Sequence, residues 1–212
     1  MKIYSLPFGP LSSNMYVICF DEGFIIVDPS VGRNRVSSVV NGFELSGLKA
    51  VLITHAHFDH VDHIEEWREL APDIPFFMSS EDERLLTEPV FNCSYMVGAG
   101  RKYDVKTTPL DKLQEFSVRM GLDLSYLSTP GHTAGSVCYR LKDDAEQIDY
   151  LFTGDLLFAG SIGRTDFPSG NTGEMMNSLE LIKRLPDEAV VFPGHGPETT
   201  ISQEVSSNPY FI

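Results

Sequence analysis

Along this chain the apolar positions fall into short runs whose spacing alternates between two periods. Residues 15–20 and 24–27 are β-branched and aromatic runs separated by Asp21-Glu22-Gly23, which predicts two antiparallel strands joined by a short glycine-containing loop. Val36, Val39, Val40 and Phe43 then recur at i, i+3, i+4 and i+7, predicting an amphipathic helix that ends near Gly47. Residues 49–54 predict a buried strand, 62–70 a helix, 74–78 a strand and 81–87 a second short helix. Residues 90–106 keep no period and carry Gly98-Ala99-Gly100, so they are expected to form a loop that could lie over a site.

Four strand-like runs follow at 116–120, 122–128, 137–141 and 150–153, broken by Gly121, Pro130-Gly131 and Asp143-Asp144. Met175, Met176, Leu179, Ile182 and Leu185 predict a helix stopped by Pro186, and residues 189–192 a last strand before a polar tail. The order is β-rich, α, β, α, and then β-rich, α, β, α again. Two sheet-plus-helix halves can each bury an apolar sheet face against the other. The expected fold is therefore an α/β four-layer αββα sandwich, formed by one domain over residues 1–212.

Composition narrows the partners. The chain has 212 residues, 42% of them hydrophobic and 22% charged, enough to bury a sizeable core. Acidic residues outnumber basic ones by 30 to 16, for a formal charge of −14. With no cluster of Lys and Arg, neither nucleic acid nor an anionic membrane is expected as a partner. No apolar stretch reaches bilayer-spanning length and the N-terminus does not read as a secretory signal, so a cytoplasmic location is expected. Three scattered cysteines, Cys19, Cys93 and Cys138, are expected to be buried free thiols.

The chemistry is concentrated in Thr54-His55-Ala56-His57-Phe58-Asp59-His60, directly after a predicted strand. Imidazole with carboxylate is the donor set of zinc, manganese and non-haem iron, and a turn leaving a strand can aim several such side chains at one point. Pro130-Gly131-His132, Thr153-Gly154-Asp155 and Pro193-Gly194-His195 repeat one form, a strand end followed by Gly and a potential ligand. Five of the six histidines occupy these four segments, the exception being His63. Neutral imidazoles crowded with carboxylates are well satisfied only by a cation.

HxHxDH after a strand, followed in order by GH, GD and GH, resembles the metallo-β-lactamase superfamily over essentially the whole chain. Within it, the Thr129-Pro130-Gly131-His132-Thr133 and Phe192-Pro193-Gly194-His195-Gly196-Pro197-Glu198-Thr199-Thr200 strings are similar to the glyoxalase II-like (hydroxyacylglutathione hydrolase-like) enzymes. The resemblance implies two divalent metal ions, zinc first with iron or manganese as alternatives. His55, His57 and His132 would hold one ion, and Asp59, His60 and His195 the other, with Asp155 between them. It also implies that Asp28 supports a ligand from behind, although a turn carboxylate is an equal reading of that residue. Val61-Asp62-His63 departs from the small residues relatives usually carry there. Arg164 matches the position of a basic, thiol-binding residue, yet Asp166 stands where those relatives carry Tyr and could pair with Arg164 instead.

The activity implied is hydrolysis of a small-molecule thioester such as an S-2-hydroxyacylglutathione, by a hydroxide held between the ions and oriented by Asp59, the candidate catalytic carboxylate. Because a thiol of pKa near 8.5 leaves readily, no dedicated general acid is required. The alternative is a persulfide dioxygenase with one Fe(II) on His55, His132 and Asp155, a set that is also present. A closed structural zinc site is disfavoured, since seven donors for two ions leave positions open. Thiol identity, acyl group and oligomeric state are left open by the sequence.

Overall fold

The computed structural model describes residues 1–211. Its first sheet has six strands in the order β1 to β6: β1 (Lys2–Phe8), β2 (Ser13–Phe20), β3 (Gly23–Val27), β4 (Leu48–Leu52), β5 (Phe76–Met78) and β6 (Thr108–Pro109). β1, β2 and β3 pair antiparallel, whereas β3 to β6 run parallel. The second sheet uses β7 (Asp123–Ser128), β8 (Val137–Asp143) and β9 (Ile148–Gly154). A small hairpin follows, β10 (Leu157–Phe158) with β11 (Ser161–Ile162), before β12 (Val190–Pro193) and β13 (Thr199–Thr200) complete that sheet in the order β13-β12-β9-β8-β7.

Alternation along the central strands explains the layering. A strand presents successive side chains to opposite faces, and here both faces are apolar, as expected of a sheet covered on both sides. In β2 and β3, Met15, Val17, Phe24 and Ile26 point to an outer cluster with Val36 of helix α1 (Arg33–Val39) and with Ile64 and Trp67 of α3 (Ile64–Leu70). A one-turn helix, α2 (Phe58–Val61), lies between them in sequence. Tyr16, Ile18, Ile25 and Val27 face the other way, meeting Leu124, Tyr139, Leu141 and Phe152 of the second sheet. Leu151, Cys138 and Val191 point outward again, onto Met175, Leu179 and Ile182 of α6 (Thr172–Ile182) and Ile201 of α7 (Ile201–Ser207). Three apolar interfaces separate four layers, which is the αββα sandwich.

The central interface is locked at the site end. Tyr16 meets Phe152 and Phe192 edge-on at 5.3 Å each, Phe152 stacks on Phe192 at 5.2 Å, and the Tyr16 hydroxyl donates to Pro193 O at 2.6 Å. Tyr139 reaches across from β8, its buried hydroxyl lying 3.1 Å from both Ile53 O and Phe77 O.

Most predicted elements lie within a few residues of observed ones, and one strand is corrected. Residues 116–120 are not a strand but the end of helix α5 (Leu113–Arg119), which follows the short helix α4 (Glu83–Thr87) in the chain. The Phe116-Ser117-Val118-Arg119-Met120 alternation is accidental: Leu113, Phe116 and Ser117 are buried at i, i+3 and i+4, while Val118 is 71% exposed. In the polar tail, β13 adds to the second sheet and α7 buries Ile201 and Glu204. The helix predicted over 62–70 is α3, which begins at Ile64, with Asp62-His63 separating it from α2. Of the cysteines, Cys93 and Cys138 are buried and Cys19 is half-buried, all three free. Among the described residues no helix is long and apolar enough to cross a membrane.

Helical geometry in α5 has a direct consequence. Phe116→Ala is expected to destabilise the protein by about 3–5 kcal/mol and Val118→Lys by less than about 0.5 kcal/mol, measured by urea unfolding. Comparable losses at both positions would contradict the helix.

Candidate metal centre

All four ligand-bearing segments leave the same end of the two central sheets. His55 and His57 follow β4, Asp59 and His60 sit on α2, His132 follows β7, Asp155 follows β9 and His195 follows β12. Two glycines let these ends converge. Gly154 adopts φ +51° with its Cα facing the Thr54 side chain, and a Cβ at Gly194 would strike the Asp155 carboxylate and sit 2.8 Å from the His60 ring. Backbone bonds from Asn14 N to Gly194 O (2.7 Å), Gly194 N to Gly154 O (2.8 Å) and Val137 N to Thr54 O (2.9 Å) tie the strand ends to one another.

The result is two trios, His55–His57–His132 and Asp59–His60–His195, each with donor atoms within 4.8 Å of one another. Asp155 stands between them, its Oδ2 lying 3.3 Å from His132 Nε2 and its Oδ1 lying 3.3 Å from His60 Nε2 and 3.6 Å from His195 Nε2. Asp28, His55 and His60 form an overlapping trio, but the Asp28 carboxylate is already committed. It accepts from Thr54 N and Thr54 Oγ1, both at 2.7 Å, and from His60 Nδ1 at 2.8 Å.

Outer hydrogen bonds set the direction of four of the five imidazoles. His132 Nδ1 contacts Arg164 O at 2.7 Å and His195 Nδ1 contacts Leu11 O at 3.0 Å; a carbonyl only accepts, so both rings carry their proton on Nδ1. Asp28 imposes the same tautomer on His60. The Thr54 hydroxyl has donated its proton to Asp28, so at 3.1 Å it accepts from His55 Nδ1. Four Nε2 atoms are thereby turned inward, and His57 adds its Nδ1, 2.8 Å from His132 Nε2. Carboxylates and carbonyls behind the rings fix tautomer and orientation in this way at metal centres.

The donor set fits a metal. His55 Nε2 and Asp155 Oδ1 are buried without a hydrogen-bond partner, an arrangement that otherwise costs about 1–3 kcal/mol per group. Burial, with His132 beside it, drops the His57 pKa to about 3, and burial with His60 nearby holds His55 well below the ordinary imidazole value. Both rings are therefore neutral and ready to ligate at physiological pH. Burial opposes charge on His60 and on Asp155 alike. Even so, the carboxylates of Asp155 and Asp59 push His60 well above the usual range, and His60 and His132 hold Asp155 well below it. These acidic oxygens demand a positive charge, which a proton on His60 supplies when no cation does.

Two further residues hold the site, and the sequence did not distinguish them. Asp82, fully buried, accepts from Ala56 N (3.1 Å), Thr133 Oγ1 (2.8 Å) and Gly135 N (2.8 Å), joining the histidine-rich turn to the loop carrying His132. Asn14 donates from Nδ2 to Pro193 O (3.0 Å) and Gly196 O (2.9 Å), clamping the turn that presents His195. In the sequence Asp82 reads as an ordinary helix-start acid and Asn14 as a polar residue at a strand end. His63 takes no part, pairing with Glu66 at 2.8 Å, and Asp62 pairs with Arg101.

A cavity of about 580 Å³ opens over the cluster. Its walls include Cys93, Met96 and Val97 from the loop at 90–106, where the one regular turn is Ser94–Val97, and Ile162, Arg164 and Phe167 from beyond Gly160. Arg164 is exposed and forms a two-pronged pair with Asp166, at 2.6 and 2.7 Å.

The match to known proteins is as broad as this geometry suggests. A family model described as the metallo-beta-lactamase superfamily covers residues 8–195. The chain belongs to that superfamily. It is 36% identical to a probable metallo-hydrolase, YqgX, of Bacillus subtilis, over 99% of this chain and 97% of that protein. It is 31% identical to the hydroxyacylglutathione hydrolase GloC of Haemophilus influenzae, over 99% and 98%. Among solved structures, the BLEG-1 B3 metallo-beta-lactamase superposes with a TM-score of 0.83 at 31% identity, covering 99% of both chains. TTHA1623 in a di-iron-bound form gives 0.81 at 32%, covering 98% of this chain and 99% of that one. ETHE1 from Myxococcus xanthus gives 0.68 at 26%, covering 99% and 84%. The superfamily chain is thus a metal-dependent hydrolase built on a His/Asp metal-binding cluster.

Two substitutions test the supports. Asp28→Asn keeps the shape but must donate an amide proton toward His60 or Thr54, which turns the His60 proton inward; metal affinity is expected to fall roughly 10–100-fold in a chelator competition. Asp82→Ala leaves three buried donors unpaired and is expected to cost about 3 kcal/mol of stability by urea unfolding. Unchanged values would remove each residue from its assigned role.

Proposed function

We propose that the chain is a thioesterase working with two divalent metal ions, zinc first, on His55, His57 and His132 and on Asp59, His60 and His195, with Asp155 shared. The observation that carries this reading is the set of four inward-facing Nε2 atoms disposed around one carboxylate. Bound divalent cations supply, at such a centre, a nucleophile from water at neutral pH and polarisation of the acyl carbonyl.

The chain's own residues do the rest. Asp59, partly exposed to the cavity and 3.3 Å from His195 Nε2, presents an oxygen that can orient a water toward the acyl carbon. Phe158 and Phe167 stand edge-on to His195 (5.9 Å) and His57 (5.7 Å), shielding the reacting bond from bulk water. Outside the cluster, the titratable side chains lining the cavity are Cys93 and Arg164. Burial, with Asp59 nearby, pushes the Cys93 thiol up to about 11, so it is neither a nucleophile nor an acid of useful strength at neutral pH. A thiolate leaves without an acid, whereas an amine leaving group needs one, and this favours a thioester over an amide.

The likeness to the Haemophilus hydroxyacylglutathione hydrolase supports the same reaction class. The likeness to ETHE1 keeps a second reading, persulfide oxidation by one Fe(II) on His55, His132 and Asp155. Two metals per chain by elemental analysis, with turnover of S-D-lactoylglutathione or an alkyl thioester, are the expected result. His57→Ala is expected to lower that turnover by at least about 100-fold with the fold intact by circular dichroism. One iron per chain, no hydrolysis and oxygen uptake with glutathione persulfide would give the reaction to the second reading.

A further inference from the structure

The cavity above the cluster is walled by apolar side chains: Leu11, Met96, Val97, Phe158, Ile162 and Phe167. They surround both trios. Phe167 lies against the His57 and His132 rings, at 5.7 and 6.4 Å, and Phe158 lies against His195 on the opposite side. Either orientation of a substrate therefore lays both of its arms on hydrocarbon. Met96 and Val97 are 59% and 50% exposed and Leu11 is 50% exposed, so the apolar surface runs out to the rim rather than stopping at the reacting atoms.

Side-chain positive charge at this mouth is already paired. Arg164 is the one Lys or Arg among the described residues lining the cavity, and its guanidinium is held by both oxygens of Asp166 while resting 3.9 Å from the Phe167 ring centre. A substrate carboxylate reaching Arg164 would exchange one carboxylate for another and gain nothing from the exchange. The formal charge of −14 further disfavours the approach of an anion.

We propose that this pocket selects thioesters whose acyl and thiol arms are apolar and uncharged, and discriminates against thiols bearing carboxylates such as glutathione. The proposal rests on the thioesterase reading above and names the substrate class for it. In the reaction, water's oxygen bonds to the acyl carbon, the carbon–sulphur bond breaks with its electron pair passing to sulphur, and the products are a carboxylate, a thiol and one proton. Water is the single co-reactant.

The test uses the metal-loaded full chain with acetyl, butyryl and hexanoyl esters of two thiols, uncharged N-acetylcysteamine and anionic glutathione. kcat/KM is expected to rise about threefold to fourfold per added methylene, the gain from burying one CH2. It should also be at least about tenfold higher on N-acetylcysteamine than on glutathione for the same acyl group. Asp166→Asn frees Arg164 and should narrow that tenfold gap, while Phe167→Ala should flatten the chain-length dependence. Rates that do not rise with chain length, or that favour glutathione, overturn the proposal. Calorimetric binding of the matching S-hexyl thioethers, which cannot be hydrolysed, separates the two readings. Tighter binding of the uncharged thioether without turnover of any ester would sink the thioesterase and leave the pocket preference standing. No preference between the thioethers would sink the preference itself.

Discussion

Imidazole nitrogens are kept facing a common centre when their rings are held from behind. Here the holding groups are a carboxylate, a hydroxyl and two backbone carbonyls: Asp28 behind His60, Thr54 behind His55, Arg164 O behind His132 and Leu11 O behind His195. Much of the surrounding architecture serves that constraint. Asp28 itself occupies a left-handed conformation at φ 54°, a strain that Asp tolerates better than most residues and that its three accepted hydrogen bonds offset. The carbonyl of Leu11 can reach His195 because Asn14 and Tyr16 pin the Pro193–Gly196 turn beside the start of β2.

Rigidity at the floor contrasts with the walls. The floor is built on ends of strands whose side chains fill three apolar interfaces, and it is cross-tied by Asp82 and the Tyr16–Phe152–Phe192 group. The walls come from loops at Ser94–Val97 and beyond Gly160. The second of these loops is anchored from the tail, where the buried Glu204 accepts from Gly160 N and Thr199 Oγ1, and Asn208 donates to Ser161 O. Chemistry and selectivity are thus carried by different parts of the chain, as is usual where a rigid scaffold supports variable loops.

Where the sequence was legible, the reason is local. β2, β3 and β9 are rich in β-branched and aromatic residues and lie beside turn residues, so period and punctuation agreed. The strand expected at 116–120 failed because five residues of accidental alternation cannot be told from a helix whose buried face is set by what packs against it. The elements of the tail were not legible for a related reason. Thr199–Thr200 is too short to show a period, and Glu204 is charged in sequence yet fully buried, because Gly160, Thr199 and Asn208 satisfy it.

The sequence by itself determined the donor residues and the order of most elements, because a histidine or aspartate after a strand end is a local feature written in adjacent residues. Which donors share a centre, which nitrogen of each ring faces inward, and that Arg164 is tied to Asp166 over Phe167 were decided only by the tertiary structure. So were the roles of Asp82 and Asn14. A hydrogen bond from residue 14 to residue 193, or from residue 133 to residue 82, depends on two sheets packing face to face, and no window of adjacent residues contains both partners.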